Sequence, residues 1–177
     1  MMSQQDQLEF WTQALNLPDF RVVHQRRDTP ADPLCLTVCP KVLVGLCPHC
    51  HHPTDCVQRT HDSARVKDLP LGPQAIELVV RTPQFHCERC HRYFTPPYPA
   101  FAPGAHATER FLEHAAKLIR FADIANAAAF LGVPQKSLER WYYDYAERKA
   151  GAEKEGLKPI ESLGIDELSL KKSTGSS

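Results

Sequence analysis

The stretch from residue 47 to residue 90 begins with CPHC (47–50) and ends with CERC (87–90). Each C-x-x-C is typical of a tight turn that aims two sulfur atoms at one point, and two such knuckles complete a tetrahedron of thiolates around Zn²⁺. The 36 residues between the knuckles are enough for strands that bring them together. The spacing therefore predicts a zinc ribbon with one structural Zn²⁺ and no open ligand position, held by Cys47, Cys50, Cys87 and Cys90.

Two other interpretations of these cysteines are a redox pair and four unrelated buried thiols. A redox C-x-x-C normally occurs once, beside a βαβ pattern, which this sequence lacks. Cys35 and Cys39 lie four residues apart on a predicted strand and are interpreted as core residues rather than a second metal site. Five histidines lie in or beside the knuckles, and replacement of one cysteine ligand by a histidine stays open: His49, His51, His52, His86 and His91.

The composition favours a folded protein made of several short modules. Of 177 residues, 42% are hydrophobic, and 15 prolines stand against 8 glycines. The first residues lack the basic and apolar regions of a signal peptide, and no run approaches the roughly 20 apolar residues that span a bilayer. We therefore expect a cytoplasmic protein without membrane contact, in which thiols stay reduced. The formal net charge is zero, so nucleic-acid binding must be argued from motifs.

Local patterns predict an α+β, multi-module fold without an internal repeat. A helix is expected at 5–17, followed by strands at 20–28 and 34–44. The stretch AIELVVR (75–81) is typical of a strand that follows a Leu71-Gly72-Pro73 turn. The expected modules are a small β-rich α/β lead-in (1–46), the zinc ribbon (47–95), an extended Pro-rich linker (96–105), a three-helix module (106–149), and a connector with one strand (150–177).

The three-helix module has the layout of a helix-turn-helix. Thr108 is expected to cap the first helix, which presents an apolar face. The second helix runs through about 122–131, and Gly132 ends it in the left-handed conformation. Pro134 suits the first turn of the third helix. The small Ala128 permits a close helix crossing, and the shared core comprises Leu131, Val133, Leu138 and Trp141.

In a helix-turn-helix the last helix enters the major groove of DNA, and its N-terminal part touches base edges. Glutamine and arginine pair in bidentate fashion with adenine and guanine, respectively. The alternative is a helical bundle whose polar face is only solvated. The candidate base contacts are Gln135, Lys136, Glu139, Arg140 and Tyr143, and the candidate phosphate contacts are Lys117, Arg120 and Arg148.

Six stretches together resemble the bacterial insertion-sequence transposases of the ISL-three group: LNLPDFRVV, CPHC, RVKDLPLG, FHCERCHRYF, FLGVPQKSLERW and LGIDELSLKK. The resemblance implies a zinc ribbon, then a helix-turn-helix that binds terminal inverted repeats, then a DDE-type nuclease domain of ribonuclease-H fold. It places Asp166 at the first catalytic aspartate. The second aspartate and the glutamate of that triad have no counterpart, so a truncated gene or a trimmed chain is expected, with residues beyond about 160 poorly ordered.

The function that follows is sequence-specific binding of double-stranded DNA, as the end-recognition part of a transposase without its catalytic domain. The chain as it stands is expected not to be an enzyme, and a homodimer stays open. One alternative is a free-standing regulator or transposition inhibitor that occupies the same DNA. Others are a zinc-ribbon adapter that binds protein and, in last place, a thiol oxidoreductase.

Overall fold

The computed structural model describes residues 3–156. It confirms a mixed α+β architecture with four helices and eight strands in the described residues. In chain order they are α1 (Gln4–Leu15), β1 (Phe20–Arg26), β2 (Leu34–Pro40), β3 (Gly45–Leu46), β4 (Pro53–Thr54), β5 (Val57–Asp62), β6 (Val66–Leu71), β7 (Gln74–His86), β8 (Tyr93–Phe94), α2 (Glu109–Ile119), α3 (Ile124–Leu131) and α4 (Gln135–Gly156).

The long strand β7 organises the sheet. Its first half pairs with β2 in parallel, from Ile76 to Val80, and with β6 in antiparallel fashion. Its second half pairs with β5 and β8, both antiparallel. Strand β1 adds to the far edge of β2, and β3 and β4 form a separate two-stranded hairpin. One strand of 13 residues therefore runs through both the lead-in sheet and the ribbon.

This continuity differs from the expected separation of a lead-in (1–46) and a ribbon (47–95). The strand predicted at 75–81 continues through Pro83, a residue that normally ends or edges a strand because it has no N–H. Pro83 pairs with Thr60 alone, since the pairing with β2 stops at Val80 and that with β8 starts at Phe85. The missing N–H is therefore tolerated at a locally open edge of β7.

The lead-in core lies between α1 and one face of the sheet. Ser3 and Asp6 form a capping box at the start of α1, and Asn16 ends the helix in the left-handed conformation with φ 44°. The helix is thus slightly shorter than the expected 5–17. Leu36, Val38, Ile76 and Leu78 are almost fully buried beneath it.

The Pro-rich segment, expected to be an extended linker, packs against this core. The rings of Tyr98 and Phe101 each lie 5.1 Å from the ring of Phe20, in edge-to-face geometry. Ala102 is buried in the helical core, and Phe101 bridges to Thr108. Four prolines stiffen the segment, but its aromatic side chains still bury apolar area, which anchors it to the sheet.

The three helices α2, α3 and α4 surround a second core. Thr108 caps α2, as expected, and its hydroxyl accepts a hydrogen bond from the backbone N–H of Phe111. Gly132, at φ 62°, ends α3 in the left-handed conformation that favours glycine. Ala128, Leu138 and Trp141 are buried where the helices cross. The expected core of this module is confirmed, with Leu131 at its partly buried margin.

Candidate metal centre and nucleic-acid interface

Each C-x-x-C knuckle is held between the strands of a short hairpin, β3–β4 for the first and the end of β7 with β8 for the second. In the first knuckle the Cys47 N–H donates to the His52 carbonyl at 3.0 Å, and the His51 N–H donates to the Cys47 carbonyl at 2.9 Å. The second knuckle repeats both bonds 40 positions later, from Cys87 to Arg92 and from His91 to Cys87, at 2.9 and 2.8 Å. His51 and His91 share the same φ of 56°. The ribbon therefore contains an internal repeat, contrary to expectation. In the sequence this repeat is seen as the shared C-x-x-C-H at 47–51 and 87–91.

The four knuckle sulfurs converge. The Sγ atoms of Cys47 and Cys90 are 3.5 Å apart, as are those of Cys50 and Cys87, and all four lie within 4.8 Å of one another. Sulfurs bound to one tetrahedral Zn²⁺ at about 2.3 Å would be separated by roughly 3.8 Å. The donor set and its spacing fit one structural zinc, as the sequence predicts.

The electrostatics of the cluster also favour a divalent cation. Burial opposes ionisation of Cys47, but hydrogen bonds from the backbone N–H groups of His49 and Cys50 lower the pKa of its thiol to about 6. A backbone N–H of the second knuckle, that of Cys90, lowers the pKa of Cys87 in the same way. Burial and the neighbouring sulfurs raise the pKa of Cys90 to about 12. The four sulfurs therefore cannot all ionise together unless a cation such as Zn²⁺ balances their charge.

No histidine joins this cluster. Among the described residues, the four cysteines are the one group of three or more potential ligands that converge. His49 instead faces Arg92, with its Nδ1 3.2 Å from Nη1. Cys35 and Cys39 are half-buried on β2, away from any such group within residues 3–156. The open alternatives of a histidine ligand and of a second cysteine site therefore gain no support.

The core beneath the metal site is very small. It consists of Phe85 and Phe94, stacked at 5.7 Å between ring centroids, together with Cys47 and Cys87. A Cβ at Gly45 would lie 2.9 Å from the Phe85 ring, so this position has no room for a side chain. So little apolar burial cannot stabilise an independent module, and metal ligation must supply much of the stability of the ribbon.

The five candidate base contacts share one exposed face of α4. Gln135, Lys136, Glu139, Arg140 and Tyr143 are all exposed, and their spacing keeps them on one side of the helix. Leu138, Trp141 and Tyr145 point the other way, into the helical core. Beyond Tyr143 the exposed residues Asp144 and Glu147 make the face acidic.

The candidate phosphate contacts differ in their surroundings. Lys117 pairs with Glu113 at 2.8 Å, and Arg148 pairs with Glu109. Arg120 is exposed and lines a groove of about 390 Å³ between α2 and α4, together with Tyr142 and Lys149. Sequence reasoning missed Lys149, because it becomes relevant only once α2 and α4 are packed side by side.

A buried ion pair fixes the helices to the sheet. The Asp68 carboxylate, on β6, is fully buried and accepts hydrogen bonds from the Thr108 hydroxyl at 2.7 Å and from Nε of Arg110 at 2.8 Å. Nη1 of Arg110 also donates to the Leu15 carbonyl at 2.8 Å, at the end of α1. Asp68 thereby connects the lead-in helix, the sheet and the start of α2. In the sequence, the one sign of this ion pair is that Asp68 occupies an inward-facing position of β6, where a carboxylate needs a partner.

Asp166, the strand expected within the C-terminal connector, and the residues beyond about 160 that were expected to be poorly ordered all lie outside the described residues. Within residues 3–156, no helix combines the length and apolar character needed to cross a membrane.

The converging cysteines and the paired hairpins define a zinc-ribbon protein. Residues 44–90 match a family model described as the zinc-finger of transposase IS204/IS1001/IS1096/IS1165. This match covers most of the ribbon, roughly a quarter of the chain, and supports the resemblance to the N-terminal region of an insertion-sequence transposase. Comparison with curated proteins and with solved structures found no significant match.

Proposed function

We propose that the chain binds double-stranded DNA in a sequence-specific manner, as the end-recognition part of an insertion-sequence transposase. The target would be the terminal inverted repeats of the element. One observation carries the proposal: a ribbon that matches a transposase zinc finger is followed by two helices, α3 and α4, which are joined by a short turn at Gly132, and the polar face of α4 is exposed.

The charge along α4 indicates how the helix would meet DNA. Lys136 and Arg140 lie in its first turns, with Glu139 between them, whereas Asp144 and Glu147 follow. The carboxylates of Asp144 and Glu147 would be repelled by phosphates, so base contact is confined to the N-terminal turns, as in known recognition helices. Arg140 suits the O6 and N7 acceptors of guanine, and Gln135 suits adenine.

The target sequence can be found by selection from a random pool of duplex DNA. The protein is used with its zinc, and a parallel selection adds a chelator. Enrichment of one sequence by the zinc-loaded protein is the expected result. The absence of any enriched sequence would contradict the proposal.

Phosphate contacts should be separable from base contacts through their salt dependence. Replacing Arg120 with glutamine should weaken binding of selected and unrelated duplexes alike, and lower the slope of log affinity against log salt by about 1. Lys117→Ala should have a smaller effect, because its ammonium already pairs with Glu113. The measurement is a salt series on both duplexes. A change confined to the selected duplex would show instead that Arg120 reads bases.

A second candidate function is protein binding, including assembly of a homodimer. It is favoured by two large apolar side chains on the helical module, Phe121 and Phe130, which are 91% and 76% exposed. Apolar groups of this size at a surface often mark protein contacts. A selection without an enriched sequence, together with a dimer that Phe121→Ser dissociates, would favour this candidate.

We extend the proposal to the absence of cutting activity in this chain. Two-metal phosphoryl chemistry needs several carboxylates that converge on a pair of ions. Within residues 3–156, the one group of three or more converging His, Cys, Asp or Glu side chains is the cysteine cluster, so no set of carboxylates there could hold such a pair. DNA carrying the selected site should therefore remain intact with Mg²⁺ or Mn²⁺. Cleavage that Asp166→Ala abolishes would contradict this prediction.

A further inference from the structure

The ribbon carries an exposed polar sheet face on the second half of β7 and its neighbours β5 and β8. Along β7, Thr82, Gln84 and His86 alternate with the buried Pro83 and Phe85. Cross-strand pairing places Arg59 beside Gln84, His61 beside Thr82 and Tyr93 beside His86. These six residues, hereafter the ribbon face, are Arg59, His61, Thr82, Gln84, His86 and Tyr93.

The ring of Tyr93 on this face is open to solvent. The Tyr93 side chain is 59% exposed, and its ring centroid lies 4.9 Å from that of His86. The His91 ring follows at 5.9 Å from His86. Neighbouring rings are tilted by 35° and 40° to each other, and the exposed Tyr93 ring offers a surface on which a nucleic-acid base can stack. Bases in a duplex already stack on one another, so the ring surface suits an unpaired strand.

The charge of the ribbon face is suited to phosphate. None of its six residues is a carboxylate. Arg59 donates from Nε to the Gln84 side-chain oxygen at 2.7 Å, which holds the guanidinium in place. Among the side chains that the structure describes, Arg59 forms no ion pair, whereas the nearby Arg81 is neutralised by two bonds to Asp62 at 2.7 and 2.8 Å.

The arginine and the tyrosine also share one cleft. Gln58, Arg59, Gln84 and Tyr93 line a shallow depression of about 400 Å³. A base stacked on Tyr93 would thus lie beside a guanidinium that can bind the adjoining phosphate. We propose that the ribbon face binds an unpaired DNA strand, through a base on Tyr93 and a phosphate at Arg59. This activity belongs to the ribbon and does not depend on duplex recognition by α4.

The test is binding of a fluorescent oligothymidylate of about 12 nucleotides, a length that such sites cover, by the zinc-loaded protein at low salt. Tyr93→Leu and Arg59→Gln should each weaken binding by about tenfold. Phe10→Leu and Arg21→Gln are matched controls: Phe10 is another exposed ring beside an aromatic neighbour, and Arg21 another exposed strand arginine. Both should bind like the unchanged protein.

Zinc content is measured for every variant. If Tyr93→Leu loses its metal, the strand affinity of Arg59→Gln decides whether the proposal holds. Arg140→Ala should leave strand binding unchanged, which separates this proposal from the function of α4. The proposal is overturned if the unchanged protein does not bind the oligonucleotide. It is equally overturned if the ribbon-face variants that retain zinc bind as well as the controls.

Discussion

Replacing Cys87 with serine should remove the bound zinc and unfold the ribbon. Cys87 is fully buried among the other three sulfurs, and the ribbon has only Phe85 and Phe94 as further core. Binding of a structural zinc ion contributes an apparent free energy of about 10–16 kcal/mol to folding. No other single interaction contributes as much in so small a module. Elemental analysis should find no stoichiometric zinc. Hydrogen exchange should show lost protection in β5 and β8, with β1 and β2 still protected by their own core.

The matched control is Cys56→Ser. Cys56 is half-buried and lies in the ribbon, but outside the four-sulfur cluster. This variant should retain one zinc per chain and an ordered ribbon. Full zinc binding by Cys87→Ser, or an unchanged ribbon after zinc is removed with a chelator, would show that the metal site is wrongly assigned.

The second large effect should come from Asp68→Ala. The change leaves the fully buried Thr108 hydroxyl without its acceptor and removes the carboxylate that pairs with Arg110, whose guanidinium keeps only backbone carbonyl acceptors. Removal of one partner of a fully buried ion pair typically lowers the free energy of unfolding by about 3–5 kcal/mol, and because the Arg110 side chain is 29% exposed we expect a loss at the lower end, about 3 kcal/mol. Denaturant unfolding of the zinc-loaded protein should show a decrease of this size, because Asp68 connects three parts of the fold.

Asp62→Ala is the control for this loss. Asp62 also pairs with an arginine, but both side chains are nearly half-exposed, so the change should lower stability by about 1 kcal/mol or less. Equal losses in the two variants would mean that burial of the Asp68 pair has no special role. Equal stability of Asp68→Ala and the unchanged protein would contradict the role of Asp68 in connecting α1, the sheet and α2.

Local features of this fold could be predicted because they depend on few residues. The knuckle spacing specifies the four ligands, since a tetrahedral site needs two paired turns. Thr108 and Gly132 mark helix ends through their own side-chain and backbone chemistry. The exposed face of α4 follows from helical periodicity alone. Each of these signals lies within one element of secondary structure or within one turn.

Long-range features were missed for the opposite reason. Nothing within 75–81 shows that β7 continues past Pro83, because the open edge there depends on where β2 and β8 end. The buried pair of Asp68 and Arg110 joins residues 42 positions apart, and either alone is typical of a surface charge. The Pro-rich stretch was expected to be an extended linker, because the packing of Tyr98 on Phe20 depends on the tertiary fold and not on local sequence.

The most direct test of duplex recognition compares Arg140→Ala with Arg26→Ala on the selected DNA site. Both arginines are exposed, but Arg26 lies on β1 and pairs with Asp28, away from the helical module. Loss of a bidentate base contact typically costs about 1–3 kcal/mol, so Arg140→Ala should bind the selected duplex about tenfold or more weakly, with affinity for unrelated duplex nearly unchanged. Arg26→Ala should bind like the unchanged protein. Equal affinity of Arg140→Ala and Arg26→Ala for the selected site would contradict recognition through α4.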